Sequence, residues 1–198
     1  MKPGKLIPLR RVEGAPAEMS DEALLAAGSV GDPAALGALF DRHHKSVYRY
    51  LSRLTRMRSH ELDDLVQITF QQVIQSAGSY RRGGTVRTWI LGIATNVSRH
   101  HVRSEVRRRA AMRAVVDSPV RSPATPLEEL DRRRSLERLA DALVALPVEQ
   151  REAFLLCDVE QSRGVEAAQA LGVPEGTLYR RLHEARKALR RAIGGDDG

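Results

Sequence analysis

The sequence predicts an all-α protein made of two small helical domains joined by a flexible linker. Three observations carry this prediction. Apolar residues recur at three-to-four spacing through most of the chain, as they do where helices bury one stripe each. Hydrophobic residues make up 42% of the chain but aromatics only 4%, so the cores must be aliphatic. Finally, Pro119, Pro123 and Pro126 fall within a short Ser-rich span between the two halves and break regular structure there.

The elements follow in order. Residues 1–19 carry Pro3, Gly4, Pro8, Gly14 and Pro16 with no periodicity, and read as a flexible arm. Ser20 followed by Asp21 and Glu22 is a helix start, an N-cap with acid in the first turn. That helix stops near Gly28–Gly31. Asp32-Pro33 starts the next, with a capping carboxylate and proline at the first helical position. Leu36, Leu39, Phe40, Val47, Leu51 and Leu54 form its buried stripe. Ser59 caps a third helix, whose apolar face is Leu62, Leu65, Val66, Thr69, Phe70, Val73 and Ile74. Gly78–Gly84 is a loop containing Tyr80, and Thr85 begins a fourth helix with Trp89, Ile90, Ile93, Ala94 and Val97 at helical spacing. The first domain is placed at 20–109 and the linker at 110–126. A helix resumes near Leu127, with Leu136, Leu139, Leu143 and Leu146 in register, and the second domain is placed at 127–193. Within it, Leu171-Gly172-Val173 joins two short helices in a helix-turn-helix pattern, and the second of these is basic. Residues 194–198 form a short tail.

Composition narrows the function classes. Lys and Arg number 32 against 25 Asp and Glu, a formal net charge of +7, which favours a polyanionic partner, nucleic acid ahead of membrane. Cys157 is the single cysteine, which excludes an internal disulfide and a thiolate zinc site of the usual kind; in its apolar run it reads as a small core residue. His43-His44 and His100-His101 are adjacent pairs that point about 100° apart on a helix and chelate poorly. No phosphate-cradling loop of the Walker type and no supported Ser/His/Asp arrangement is present, so neither a cofactor nor a catalytic or metal site is expected. No window approaches the roughly eighteen apolar residues of a membrane span, and the basic N-terminus lacks a signal-peptide core; the chain is expected to be cytoplasmic, without membrane insertion.

Four stretches carry a resemblance. Glu61-Leu62-Asp63-Asp64-Leu65-Val66-Gln67-Ile68-Thr69-Phe70 resembles the "E-D-L-V-Q-E-T-F" helix of bacterial sigma factors, and Thr85 through Asn96 resembles the "F-R-T-W-L-x-x-I-A-x-N" helix that follows it. Leu146 through Leu156 matches "L-P-x-x-Q-R-E-x-F-L-L", and Leu171 through Arg186 matches "L-G-V-P-x-G-T-x-x-x-R-L-H-x-A-R". In this order they resemble the extracytoplasmic-function (ECF) sigma factors, the short kind with only the second and fourth conserved sigma regions. Length agrees. Promoter elements about 25 base pairs apart lie on the order of 85 Å apart at ~3.4 Å per pair. A compact globule of this length has a radius of gyration of roughly 16 Å and could not touch both. Two domains joined through the Pro/Ser-rich stretch from Ser104 to Arg134, about thirty residues that reach up to ~100 Å when extended, could.

The resemblance implies a promoter-recognition subunit that binds core RNA polymerase and promoter DNA and is held by an anti-sigma factor. It implies polymerase contact at Asp63, Asp64 and Gln67, an acid and amide face of one helix. It implies that the loop 77–87 and the helix after it handle the −10 element: Arg81, Arg82, Arg87 and Arg99 for the backbone, Asn96 for the strand and Tyr80 for stacking on a base. In the last helix, Leu178, Leu182, Ala185 and Leu189 face inward. Thr177, Tyr179, Arg180, Arg181, His183, Glu184 and Lys187 are then the residues for the −35 element, by base-edge and phosphate contact. The chain departs from the family at Val86, where an aromatic is common, and at Tyr179 and Glu184, often basic. It departs again at Gln161–Ala168, which replaces the customary "L-S-Y-x-E-I-A". The competing reading is a stand-alone helix-turn-helix regulator.

Overall fold

The structure is a computed structural model that describes residues 18–55, 57–81, 83–111 and 139–193, and every regular element among them is helical. The arm before residue 18, the linker after Ala111, the helix start expected at Leu127, Arg82 and the tail lie outside the described residues.

Helix α1 (Asp21–Ser29) starts where a side chain meets an orphan amide: Ser20 Oγ accepts from Ala23 N–H at 3.2 Å. Asp32 does the same for α2 (Pro33–Leu54), accepting from Ala34 N–H at 2.9 Å, with Pro33 in the first turn. Helix α3 (Ser59–Ser76) corrects the expected cap. Ser59 is already helical and Arg58 is the N-cap, because Glu61, on the third helical residue, reaches back to accept from Arg58 N–H at 2.9 Å. A 3-10 turn (Ala77–Ser79) leads to α4 (Val86–Ala111), whose first turn is held by Thr85 Oγ1 accepting from Thr88 N–H at 3.1 Å.

These four helices bury the stripe that their spacing predicts: Leu39, Leu51, Leu65, Val73, Ile90 and Ala94 are all 1% exposed or less. Helix α1 is strapped across α2 by Asp21. Its carboxylate accepts from Arg42 Nη1 at 2.5 Å and meets His43 Nε2 at 2.8 Å. Burial pushes the His43 pKa below its ordinary value, against the opposing pull of Asp21. Tyr50, fully buried, hydrogen-bonds Thr95 Oγ1 at 2.7 Å, and desolvation raises its phenol well above the usual range.

The second bundle begins with α5 (139–145) and breaks at Leu146-Pro147, where proline cannot donate. Helix α6 (Val148–Phe154) widens into a π-turn (Leu155–Val159). Gln161 leaves this turn in the left-handed region at φ 56, unusual for a residue with a side chain, and its Nε2 donates to Asp158 O at 2.5 Å. Helix α7 (Gly164–Leu171) ends on Gly172 at φ 66, and Val173 N–H returns to Ala168 O at 3.0 Å, the left-handed cap that turns the chain into α8 (Glu175–Ile193). A Cβ on Gly172 would meet nothing, so Gly172→Ala tests backbone geometry alone. It is expected to lower stability by about 1 kcal/mol in thermal unfolding, with Gly172→Asn costing less.

The sequence reading treats the two bundles as separate bodies on a tether. The structure packs them together. Helix α4 crosses α7 with Gly92 at the contact: a Cβ there would stand 2.7 Å from the Ala170 carbonyl oxygen. Arg151, 9% exposed, links three segments. Its guanidinium donates to Leu54 O at 2.7 Å, to Leu146 O at 2.9 Å and to Val144 O.

Candidate nucleic-acid and polymerase interfaces

On α3 the apolar stripe fixes what faces outward. Leu62, Leu65, Val66 and Thr69 turn into the core, so Asp63, Asp64 and Gln67 are exposed together with Ile68, 39% exposed. Asp63 and Gln67 also line a groove of about 630 Å³ between α2 and α3, walled by Phe40, His44, Tyr48 and Val66. His44 stacks on Phe40 with ring centroids 4.9 Å apart. Lys45 and Arg49 sit on the same groove. Sequence reasoning missed the α2 side of this surface, although the spacing of His44, Lys45, Tyr48 and Arg49 already places them on one helical face.

The loop before α4 is built around Tyr80. Its ring meets Trp89 edge-on, centroids 5.5 Å apart, and its hydroxyl donates to Gly84 O at 2.5 Å. A cavity of about 190 Å³ opens beside the two rings, between Gly84, Thr88 and Gln169. Arg81 is exposed, and Arg82 lies outside the described residues. The remaining −10 candidates on α4 do not stand free. Arg87 Nε donates to Ser46 Oγ at 3.2 Å and its Nη2 to Glu160. Arg99 Nε donates to Glu152 Oε1 at 2.7 Å, its Nη2 donates to the other carboxylate oxygen, and Asn96 Oδ1 lies 3.4 Å from its Nη1. The hydrogen-bonded Glu152 carboxylate raises the Arg99 pKa. Glu152, 0% exposed, is a residue that sequence reasoning passed over. Its signal was its register: it lies three and four residues before Leu155 and Leu156, on an apolar face.

Helix α8 buries Leu178, Leu182, Ala185 and Leu189, which leaves Tyr179, Arg180, His183, Glu184 and Lys187 exposed and Thr177 and Arg181 half-buried. Arg186, on the flank, is held by Asp158 of the π-turn through a bidentate pair at 2.6 and 2.8 Å, which fixes the helix against α6. Two departures from the family pattern turn out to be one contact. Tyr179 lies over Gly164, and a Cβ at Gly164 would overlap the Tyr179 hydroxyl. Cys157 is half-buried against the core, where desolvation raises its thiol pKa.

Among the described residues, no group of three or more His, Cys, Asp or Glu is placed to hold a metal ion, and no helix is long and apolar enough to cross a membrane.

The family model "Sigma-70 region 2" matches residues 39–108, and "Sigma-70, region 4" matches residues 136–189. The ECF RNA polymerase sigma factor SigM of Mycobacterium tuberculosis (strain ATCC 25618 / H37Rv) is 35% identical over 184 residues, covering 89% of this chain and 86% of its own. RNA polymerase sigma factor CarQ of Myxococcus xanthus is 34% identical over 157 residues, covering 79% of this chain and 87% of its own. The solved structure of CnrH in complex with the cytosolic domain of CnrY shares the fold. It has a TM-score of 0.64 at 23% identity and covers 89% of this chain and 99% of that one. With both regions matched in order and a relative at this identity across most of its length, the chain belongs to the extracytoplasmic-function group of sigma-70 RNA polymerase sigma factors.

Proposed function

We propose that this chain binds core RNA polymerase through Asp63, Asp64 and Gln67, with the neighbouring groove of α2 completing the contact. The loop before α4, with Tyr80, Arg81 and Arg82, and the α4 residues Arg87, Asn96 and Arg99 then take the −10 element. The α8 residues Thr177, Tyr179, Arg180, Arg181, His183, Glu184 and Lys187 take the −35 element. The subunit gives promoter specificity and assists melting, and covalent chemistry stays with the polymerase. It acts in the cytoplasm, in the domain division 20–109, 110–126 and 127–193. An anti-sigma factor is a fitting partner, because CnrH was solved with the cytosolic domain of CnrY, and RpoE of Bartonella quintana with the anti-sigma factor NepR.

The observation that carries the reading is the exposure of two unlike polar faces. One is acidic, on α3 of the first bundle, and the other is basic, on α8 of the second. Acid suits a basic protein partner, and Arg180 with Lys187 suits a duplex. Run-off transcription with purified core polymerase, with and without the chain, tests it on a library of promoter fragments. Start sites that depend on the chain support the reading. Duplex binding by the chain alone, with no dependent transcript, favours the stand-alone regulator.

Arg180→Ala is expected to weaken binding to a −35 duplex roughly ten- to hundredfold while leaving polymerase capture intact, because its side chain is exposed on the face of α8 assigned here to DNA. Filter binding set beside polymerase pull-down checks it; loss of both together contradicts the assignment.

A further inference from the structure

Glu184 is out of character with its helix. Past the first turn of α8, the exposed face is otherwise basic or neutral. Arg180 stands one turn before Glu184, Lys187 one turn after, and Arg190 and Arg191 follow. Those cations suit phosphates, and a carboxylate among them weakens every such contact by repulsion. The described residues supply no structural reason for an acid here. Arg180 and Lys187 lie at i−4 and i+3, the spacings at which ion pairs form on a helix. The Glu184 side chain nevertheless makes no hydrogen bond or ion pair to another described residue.

Other acids of the second bundle do have such a reason. Glu152, Asp158, Glu160 and Glu166 each hold an arginine. Glu149 and Glu175 sit in the first turns of α6 and α8, where the positive end of the helix dipole favours them. Glu184 lies near the middle of the 19 residues of α8, beyond the reach of that effect. The helix that carries it is firmly seated. Leu182 and Ala185 are buried at 4% and 0% exposure, and the Arg186–Asp158 pair ties down the flank. Glu184 is thus an unpartnered acceptor on a rigid, outward face.

In a major groove a carboxylate has few partners. It only accepts, so the N7 and O6 of guanine and the O4 of thymine repel it. Adenine offers its N6 amino group but sets the N7 acceptor beside it. Cytosine offers its N4 amino group with no major-groove acceptor of its own. We propose that Glu184 is a base-reading residue that accepts from the N4 amino group of a cytosine in the −35 element. The inference rests on the function proposed above for α8. Arg180, four residues earlier, stands about 6 Å away along the helix axis, so the cytosine lies within about two base pairs of the base that Arg180 meets. General affinity is given up at this position in exchange for selectivity.

The test uses the full chain assembled with core RNA polymerase and a pool of double-stranded promoter fragments randomised across the −35 element. Bound fragments are recovered and sequenced for the unsubstituted chain and for Glu184→Gln, Glu184→Ala and Arg180→Ala. The unsubstituted chain is expected to enrich cytosine at one position by about tenfold over the other bases. Glu184→Gln keeps the shape but pairs bidentately with adenine, and is expected to move the preference at that position to adenine and leave the rest unchanged. Glu184→Ala is expected to level that position alone, and to bind a mixed-sequence duplex about threefold more tightly because the repulsion is gone. The same enriched sequence from the unsubstituted chain and both Glu184 variants, with Glu184→Ala merely binding more tightly, overturns the proposal, and so does a Glu184-dependent preference for another base. Arg180→Ala separates this failure from failure of the wider reading. If the unsubstituted chain enriches a −35 sequence that Arg180→Ala relaxes and neither Glu184 variant alters, only the role of Glu184 is wrong. If the unsubstituted chain enriches no −35 sequence, the assignment of α8 is wrong and this inference falls with it.

Discussion

Asp64→Arg is expected to abolish capture of core RNA polymerase, and with it promoter-dependent transcription, while the melting temperature of the free chain stays within a degree or so. Asp64 is exposed on α3, one position from the buried pair Leu65 and Val66, so its replacement disturbs no packing. Surface substitutions of this kind change stability by about 0.5 kcal/mol or less. At an interface with a basic partner, however, the substitution replaces an attraction by a repulsion, costing about 2–5 kcal/mol, or roughly thirtyfold to a few thousandfold in affinity. Asp63 and Gln67 share the face, so Asp64→Asn should give a milder loss. Pull-down against immobilised core enzyme decides it. Unchanged capture moves the polymerase interface elsewhere on the chain.

Arg151→Ala is expected to lower stability by about 3–5 kcal/mol, the largest single loss among the substitutions considered. Its guanidinium satisfies three backbone carbonyls, those of Leu54 at the end of α2 and of Val144 and Leu146 around the α5–α6 break. Helix C-termini leave carbonyls without partners, and a cation there answers both the missing hydrogen bonds and the negative end of the dipole. Truncation strands buried carbonyls and opens a cavity together. Arg151→Lys keeps the charge but replaces a planar fork with a single point donor, and should recover only part of the loss. Thermal unfolding of both variants is the measurement. A drop confined to Arg151→Ala, with Arg151→Lys at the unsubstituted value, would show that charge alone matters.

Much of the fold was legible because its signals are local. Ser20, Asp32-Pro33 and Leu171-Gly172 set helix ends through hydrogen bonds a few residues long. The stripes of α2, α3 and α8 follow from a 3.6-residue period. The exposed position of Asp63, Asp64 and Gln67 followed from the same period. Ser59 was misplaced by one residue because Glu61 supplies the cap from the other direction, and the two arrangements look alike in sequence. The packing of α4 on α7 was not legible. Gly92 looks like an interruption in a helix until the Ala170 carbonyl is seen above it, and the carboxylate of Glu152 gives no sign of its arginine fifty residues away. Long-range pairs of that kind leave a residue in the wrong register, such as a glutamate on an apolar face, but not the name of the partner.

The contact between Tyr179 and Gly164 has a consequence for anyone who wants to retarget this chain. Recognition helices invite transplantation: residues 175–193 of one relative grafted onto another, to move its promoter preference with them. Here the graft would carry away one half of a matched pair. A donor helix with another side chain at 179 would lose the ring that lies over Gly164, and a donor scaffold with a side chain at 164 would turn the half-exposed Tyr179 ring out of its seat. The portable unit is therefore the whole helix-turn-helix from Gly164 onward, and chimaeras joined inside the turn should read promoters poorly for reasons unrelated to base contacts.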